Sequence, residues 1–272
     1  MKLPINDYRI CEGQKVKLSK INTDDSGPFK TGKRAKEEAR AMLLKQQEKL
    51  AELQEKLYAD GKQSLLVVFQ AMDAGGKDGC IEKVVGSFDP QGVKVSSFKA
   101  PTSEELAHDF LWRIHKETPA KGMIGVFNRS HYEDVLVVRV KDLVPKKVWS
   151  KRYELINAFE TGLTESGTTV IKIYLHIDKD EQKKRLQERL DDPSKQWKFN
   201  PGDLKERENW DVYMKAFEEV FERCGTAPWY IVPANYKWYR DVVVAQILIE
   251  ALEKMKLEYP GLEYDPKTVV IE

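Results

Sequence analysis

The sequence predicts an α/β fold in which a parallel sheet carries helices on both faces, and three observations lead there. Short apolar runs of strand type alternate with amphipathic helical stretches along the chain. One run, Leu65 to Phe69, passes directly into QAMDAGGKDG and then into the helix-compatible Cys80 to Val85. A strand that breaks into a glycine-rich turn and opens a helix is how backbone N–H groups hold a phosphate. Third, the charge-rich stretch from Lys183 to Lys198 reads as a helical lid, within about residues 180–210, above such a loop.

Taken in order, residues 1–34 are polar and irregular, with a turn at Asp24 to Pro28, and are expected to form an arm lying over the domain rather than a core element. The remainder, 35–272, is expected to be one domain, since no linker divides it. From Ala35 to Tyr58, Ala39, Met42, Leu43, Gln46, Leu50, Leu53 and Leu57 fall largely three and four apart, which predicts an amphipathic helix ended by Gly61. The first strand and its loop follow, then a helix to about Phe88. The turn Asp89 to Gly92 leads into the alternating strand VKVSSFKAP. Thr102 or Ser103 with Glu105 resembles a helix start, and Leu106, Phe110, Leu111 and Ile114 give that helix an apolar face until Pro119 and Gly122 close it.

MIGVFN is a fully apolar strand ending at Asn128, and RSHYEDVLVVRV follows it. Trp149 to Leu163 reads as a helix, and TVIKIYLHI, after Gly167, as the longest strand, ending at Asp178. Pro193 and Pro201 break the charged region beyond it. WYIVPA is a last short strand and Val242 to Met255 a last helix.

The loop departs from the phosphate-loop pattern G-x-x-x-x-G-K-[ST] at two positions: Ala71 replaces the first glycine and Asp78 the Ser or Thr. Its physics is retained. Gly75, Gly76 and Gly79 permit tight backbone, and Lys77 supplies a point charge for phosphate oxygens. The missing hydroxyl normally holds magnesium, so another group is needed, and Asp73 inside the loop is the candidate.

Composition narrows the partners. Lys and Arg number 45 against 44 Asp and Glu, a net charge of +1, so neither nucleic acid nor anionic membrane is an expected partner. The three cysteines, Cys11, Cys80 and Cys224, are scattered and fit a reducing compartment rather than a zinc site. MKLPINDYRI lacks a signal-peptide core and no run is long enough to span a membrane, so a cytoplasmic protein is expected.

Two further groups should converge with the loop beyond the carboxyl ends of the strands. Asn128, Arg129, Glu133 and Asp134 lie at a strand end where phosphate-loop enzymes carry a metal-positioning acid, here replaced by an amide. Arg185 and Arg189, four apart, share a helical face that a hinged lid could swing over a phosphate. Each has a simpler reading: the acids favour a helix N-terminus, and the Lys/Arg run is a solvated face. His131 is read as packed or structurally bonded, and Trp197, Trp210, Trp229 and Trp238 as core or interface anchors rather than base-stacking platforms. The set together suits phosphoryl transfer, which needs alignment and charge neutralisation but no protein nucleophile.

AMDAGGKDG, FNRSHYEDVLVVRV, QERLDDPSKQWKF, GDLKERENWDVY and APWYIVPAN, in that order, closely resemble the polyphosphate kinase 2 family over nearly the full length. The FNRSHYED form resembles the subgroup called class III, which phosphorylates AMP and ADP; other members carry Asp where Asn128 stands. The resemblance implies a P-loop kinase fold similar to thymidylate kinase, magnesium (with manganese as the alternative ion), inorganic polyphosphate as donor, AMP or ADP as acceptor and ADP or ATP as product. It assigns metal to Asp73, transferred phosphates to Lys77 and Arg129, the acceptor phosphate and its metal to Asn128 with Glu133 or Asp134, and the lid to Arg185 and Arg189. Cys80 stands where members commonly have Thr. Dimers or tetramers are expected by the same likeness.

A polyanionic donor needs a positive trough, and charge clustering nominates Lys141, Lys146, Lys147, Lys151, Arg152 and Lys195 as its liners. The first alternative is an ATP-dependent nucleoside or nucleotide kinase, which shares loop, lid and fold. A nucleotide switch is the second, and the guanine-reading N-K-x-D pattern is missing from the chain.

Overall fold

The structure is a computed structural model and describes residues 2–271. Six strands form one sheet: β1 (Arg9–Ile10), β2 (Ser64–Ala71), β3 (Val93–Ser97), β4 (Ile124–Asn128), β5 (Thr168–His176) and β6 (Trp229–Pro233). Their order is β1-β6-β5-β2-β4-β3, parallel throughout except for the antiparallel edge strand β1. Central β2 is buried along SLLVVFQ, which is why its sequence is a continuous apolar run, whereas edge strand β3 is largely exposed and buries only Ser96.

Among the described residues ten α-helices connect and cover the sheet. They are α1 (Lys33–Asp60), α2 (Lys77–Val85), α3 (Ser103–Leu106), α4 (Trp112–His115), α5 (Val137–Val140), α6 (Lys146–Glu165), α7 (Lys179–Asp191), α8 (Gly202–Glu208), α9 (Trp210–Arg223) and α10 (Lys237–Lys254). Gly61, at φ +62°, ends α1 by returning its N–H to the Leu57 carbonyl. Helices α6 and α9 cover the face from which Lys172 and Tyr174 project, because Lys172 reaches Glu160 and the Tyr174 ring packs on Phe217. Helix α10 packs against α1 and α2, and the Gln46 amide of α1 donates to the Val242 carbonyl of α10.

Four sequence expectations change. The first 34 residues do more than lie over the domain: β1 extends the sheet, and Leu3, Ile5, Tyr8, Leu18 and Phe29 are buried in the core. The helix expected from Thr102 is interrupted, because Asp109 accepts from the Leu111 N–H and turns the chain between α3 and α4. Helix α9 has no counterpart in the sequence reading, although Tyr213, Ala216, Phe217, Val220 and Phe221 line one buried face. Trp210 and Trp229 are buried anchors, but Trp197 is 77% exposed.

Behind the sheet lies a closed polar cluster. The Lys172 ammonium donates to Glu160 Oε2 at 2.6 Å, to the Tyr132 hydroxyl at 2.9 Å and to the Cys224 carbonyl at 2.8 Å. Glu160 Oε1 also accepts from Tyr132 at 2.7 Å and lies 3.2 Å from His131 Nε2, and all four side chains are fully buried. Burial works to raise the Glu160 carboxyl, but the Lys172 and His131 partners overcome it and hold it down at about 2. His131 therefore has the structural role expected of it.

Candidate active site

The loop expected to hold a phosphate has the backbone for it. Ala74 (φ +58°) and Gly76 (φ +94°) take the left-handed conformation, and a side chain at Gly75 would press within 2.8 Å of the Met72 carbonyl. Nothing crowds Gly79 closer than 4.0 Å. The loop's carbonyls are turned outward and tied down. Arg185 donates to those of Ala74 (3.1 Å) and Gly75 (3.0 Å), and Arg240 to that of Gly76 (3.0 Å). The N–H groups of the first turn of α2, which have no intrahelical partner, are left for an anion.

A cavity of about 970 Å³ opens over this loop. Asp73 to Gly79 form its floor, the strand ends Ser97 to Ala100 and Asn128 to Arg129 one wall, and Arg189, Lys195, Trp197, Lys198, Asn200 and Asp203 the opposite rim. Lys77, the first residue of α2, reaches back to the Ala71 carbonyl at 3.3 Å. Burial, then the nearby Arg129 guanidinium, pushes its ammonium down to about 8. Arg129, itself at φ +62°, donates to Asp73 Oδ1 at 2.8 Å and to Glu133 at 3.3 Å, and those carboxylates raise its pKa against the cost of burial. Asn128 donates to Asp78 at 2.6 Å.

The expected residues therefore divide. Asp73, Gly75, Gly76, Lys77, Asp78, Gly79, Asn128, Arg129, Arg185, Arg189 and Lys195 line one cavity. Glu133 reaches it through Arg129, whereas Asp134 is bound to Arg152 at 2.8 Å and burial pushes its carboxyl up to about 6. Lys141, Lys146, Lys147, Lys151 and Arg152, expected along a trough, do not line the cavity. Lys141 is ion-paired with Glu206, and Arg152 is taken by Asp134 and lies over the Phe110 ring.

Arg185 differs from the expectation of a free lid arginine: it is 5% exposed and held on several carbonyls. Besides the loop carbonyls it donates to those of Ala234 (2.6 Å) and Asn235 (3.2 Å) and pairs with Glu181 at 2.7 Å. Arg189 is the more accessible of the two, donating to Asp203 at 3.2 Å and to the Lys198 carbonyl at 3.1 Å.

Sequence reasoning did not single out Asp203, Lys198, Lys237 or Arg240, all of which line the cavity. For Arg240 a signal existed: a charged pair, Arg240 and Asp241, directly precedes the apolar run Val242 to Ala245. Among the described residues no cluster of three His, Cys, Asp or Glu side chains forms a complete metal cage. The donor set nonetheless fits a magnesium-type ion, which keeps most of its waters and is held by one or two carboxylates and substrate phosphates. Asp73 keeps Oδ2 without a protein partner among the described residues, and burial followed by the Asp73 charge raises the Asp203 carboxyl.

Comparison with known proteins gives the chain's family. Residues 33–260 match the family model for Polyphosphate kinase 2 (PPK2). The chain is 52% identical over 267 residues to the AMP/ADP-polyphosphate phosphotransferase of Meiothermus ruber, covering 97% of this chain and 99% of that protein. It is 44% identical to the ADP-polyphosphate phosphotransferase of Rhodopseudomonas palustris, covering 96% and 93% respectively. The crystal structure of Polyphosphate Kinase 2 from Arthrobacter aurescens TC1 superposes with a TM-score of 0.92 at 48% identity, over 98% of this chain and 94% of that one.

Proposed function

Because this chain belongs to the polyphosphate kinase 2 family and is a phosphotransferase, we propose that it moves the terminal phosphoryl group of inorganic polyphosphate onto AMP and ADP, giving ADP and ATP. The observation that carries the reading is that one cavity joins the loop's anion-holding floor to Lys77, Arg129 and Arg189. It contains the charges that phosphoryl transfer needs and requires no nucleophile from the protein.

A phosphate oxygen of the nucleotide attacks the terminal phosphorus of the polymer. The bridging P–O bond breaks, and its electron pair leaves on a polyphosphate one unit shorter. Both phosphates are already ionised, so no base is required. The first-turn amides of α2 and Lys77 hold the donor's end, and Arg129, pinned between Asp73 and Glu133, faces the group in transit. Arg189, with the segment from Asp192 to Asp203, closes over it as a lid and excludes water. Arg185 and Arg240, at the cavity wall, act by fixing the loop carbonyls. Magnesium, or manganese in its place, would be held by Asp73 together with phosphate oxygens, and when bound it neutralises their charge. Asp203 is a second carboxylate on the same space.

Incubating the protein with AMP, magnesium and long-chain polyphosphate, without ATP, tests the reading. ADP and then ATP are expected. No product here, with turnover when ATP is the donor, would identify an ATP-dependent nucleotide kinase instead. A homo-oligomer, dimer or tetramer, is part of the proposal and is checked by light scattering. No helix of the described residues is long and apolar enough to cross a membrane.

A further inference from the structure

Trp197 is the one large aromatic that stands in the open on the rim of the cavity. It sits in the turn Gln196–Lys198, 77% exposed, in a protein that buries Trp210 and Trp229 almost completely. Its indole N–H is satisfied by the Ser194 carbonyl at 3.0 Å, so the ring is held by its edge and its polar atom asks nothing of a partner. The Lys198 ammonium lies 4.9 Å from the ring centre, which accounts for one face at most. The other aromatic lining the cavity, Phe98, is spent: it is 8% exposed, packs edge-on against Phe127 at 4.9 Å and lies under Arg113.

Of the two substrates, only one has a π face. Polyphosphate presents nothing but charged oxygens, and the cations of the cavity serve it. A nucleobase, by contrast, has two flat surfaces that lose favourable contact in water and gain it on an aromatic ring. We propose that Trp197 is the platform on which the base of the acceptor nucleotide stacks, with its phosphates directed down toward Arg129 and the loop. The assignment rests on the phosphotransfer reading above and adds to it the residue that recognises the nucleoside.

Stacking is indifferent to which base is present, because every base has a flat face. Trp197 therefore gives nucleotide affinity without choosing among bases, and GMP should feel its loss as AMP does. Lys198, next to it in sequence, remains free to meet phosphate charge, which places base and phosphate recognition on adjacent residues of one turn.

The test compares Trp197→Phe, Trp197→Leu and Trp197→Ala with wild type, using AMP, GMP and polyphosphate as separately varied substrates. Stacking predicts that Trp197→Phe keeps a KM for nucleotide within about threefold, whereas the Leu and Ala variants raise it about tenfold or more. The KM for polyphosphate and the melting temperature should stay unchanged. In wild type, AMP should quench part of the tryptophan emission and the Phe variant should lack that quench. A Leu variant as good as Phe would mean the side chain supplies apolar bulk to a closed lid, and would overturn the proposal. So would a fall in kcat with both KM values unchanged, or a fall in oligomer mass. Wild type inactive with polyphosphate but active with ATP would defeat the phosphotransfer reading while leaving the fluorescence test of base stacking intact.

Discussion

The side-chain amide of Asn128 donates to the carboxylate of Asp78 at 2.6 Å, so the loop position that holds an acid in place of a hydroxyl is bonded to the strand-end position that holds an amide in place of an acid. The amide relieves a carboxylate that stands where a hydroxyl usually stands. Replacing Asn128 by Asp would set two negative charges at hydrogen-bond distance. Asn128→Asp is expected to melt about 2–4 °C lower in EDTA, to recover with magnesium, and to need less magnesium for half-maximal rate. Thermal melts with and without EDTA check this; equal melting in both would show that the carboxylates do not feel each other.

Arg129 is oriented by Asp73 at 2.8 Å and by Glu133 at 3.3 Å. Asp73→Asn keeps the shape but removes the charge that steadies Arg129 and that the proposal assigns to a divalent ion. A loss of about a hundredfold or more in kcat/KM is expected, with a higher magnesium requirement. A variant as fast as wild type would remove Asp73 from the mechanism.

Lys77 titrates near 8, below its ordinary 10.5, because it is buried and faces Arg129. A base with a lowered pKa is charged below that value, so the free enzyme loses the cation proposed to hold phosphate as pH rises through about 8. kcat/KM for polyphosphate should fall across pH 8 to 9. In Lys77→Arg, weaker at all pH values, that fall should vanish, because guanidinium does not deprotonate there. For stability the sign is opposite: between about 8 and 10.5 the unfolded chain binds more protons, so folding is favoured as pH rises through that window.

The Lys172–Glu160 pair is fully buried, and removing one partner strands the other. Lys172→Met should cost about 3–5 kcal/mol, whereas the double change with Glu160→Leu should restore most of it. Urea unfolding of the set measures this. Glu160 is held at about 2, below its ordinary 4.5, so its stabilisation is complete above about 4.5 and is lost as pH falls toward 2.

If the cations around the cavity hold a long polyanion, its KM must rise with salt. Lys195→Ala and Lys198→Ala should flatten that dependence, and Lys146→Ala with Lys147→Ala should leave it unchanged. Steady-state kinetics at several potassium chloride concentrations distinguish the two groups.

Much of this was legible in the sequence because it is local. The run Leu65 to Phe69 with its glycines is a strand, a turn and a helix start in consecutive residues, and Asp73 and Lys77 follow from it, as Arg129 follows from the end of the apolar run MIGVFN. What failed to show depends on distant pairing. Arg185 resembled a lid arginine because its helical spacing from Arg189 is correct. Nothing local reveals that the Ala234 and Asn235 carbonyls capture it. Lys141 and Arg152 looked like free cations until Glu206 and Asp134 met them in space. Asp203 and Arg240 come to the cavity from segments far from the loop in sequence, and Lys172 breaks the apolar pattern of β5 for a partner on α6.

Arg185 grips Ala74 and Gly75 with one nitrogen and Ala234 and Asn235 with the other, and so ties the bend after β2 to the exit of β6, two strands away across the sheet. The glycine-rich loop is thus held by a side chain that also holds residues much further along the chain. An engineer who lengthens the exit of β6 to graft a tag or a fusion partner would be retuning the catalytic bend without touching it.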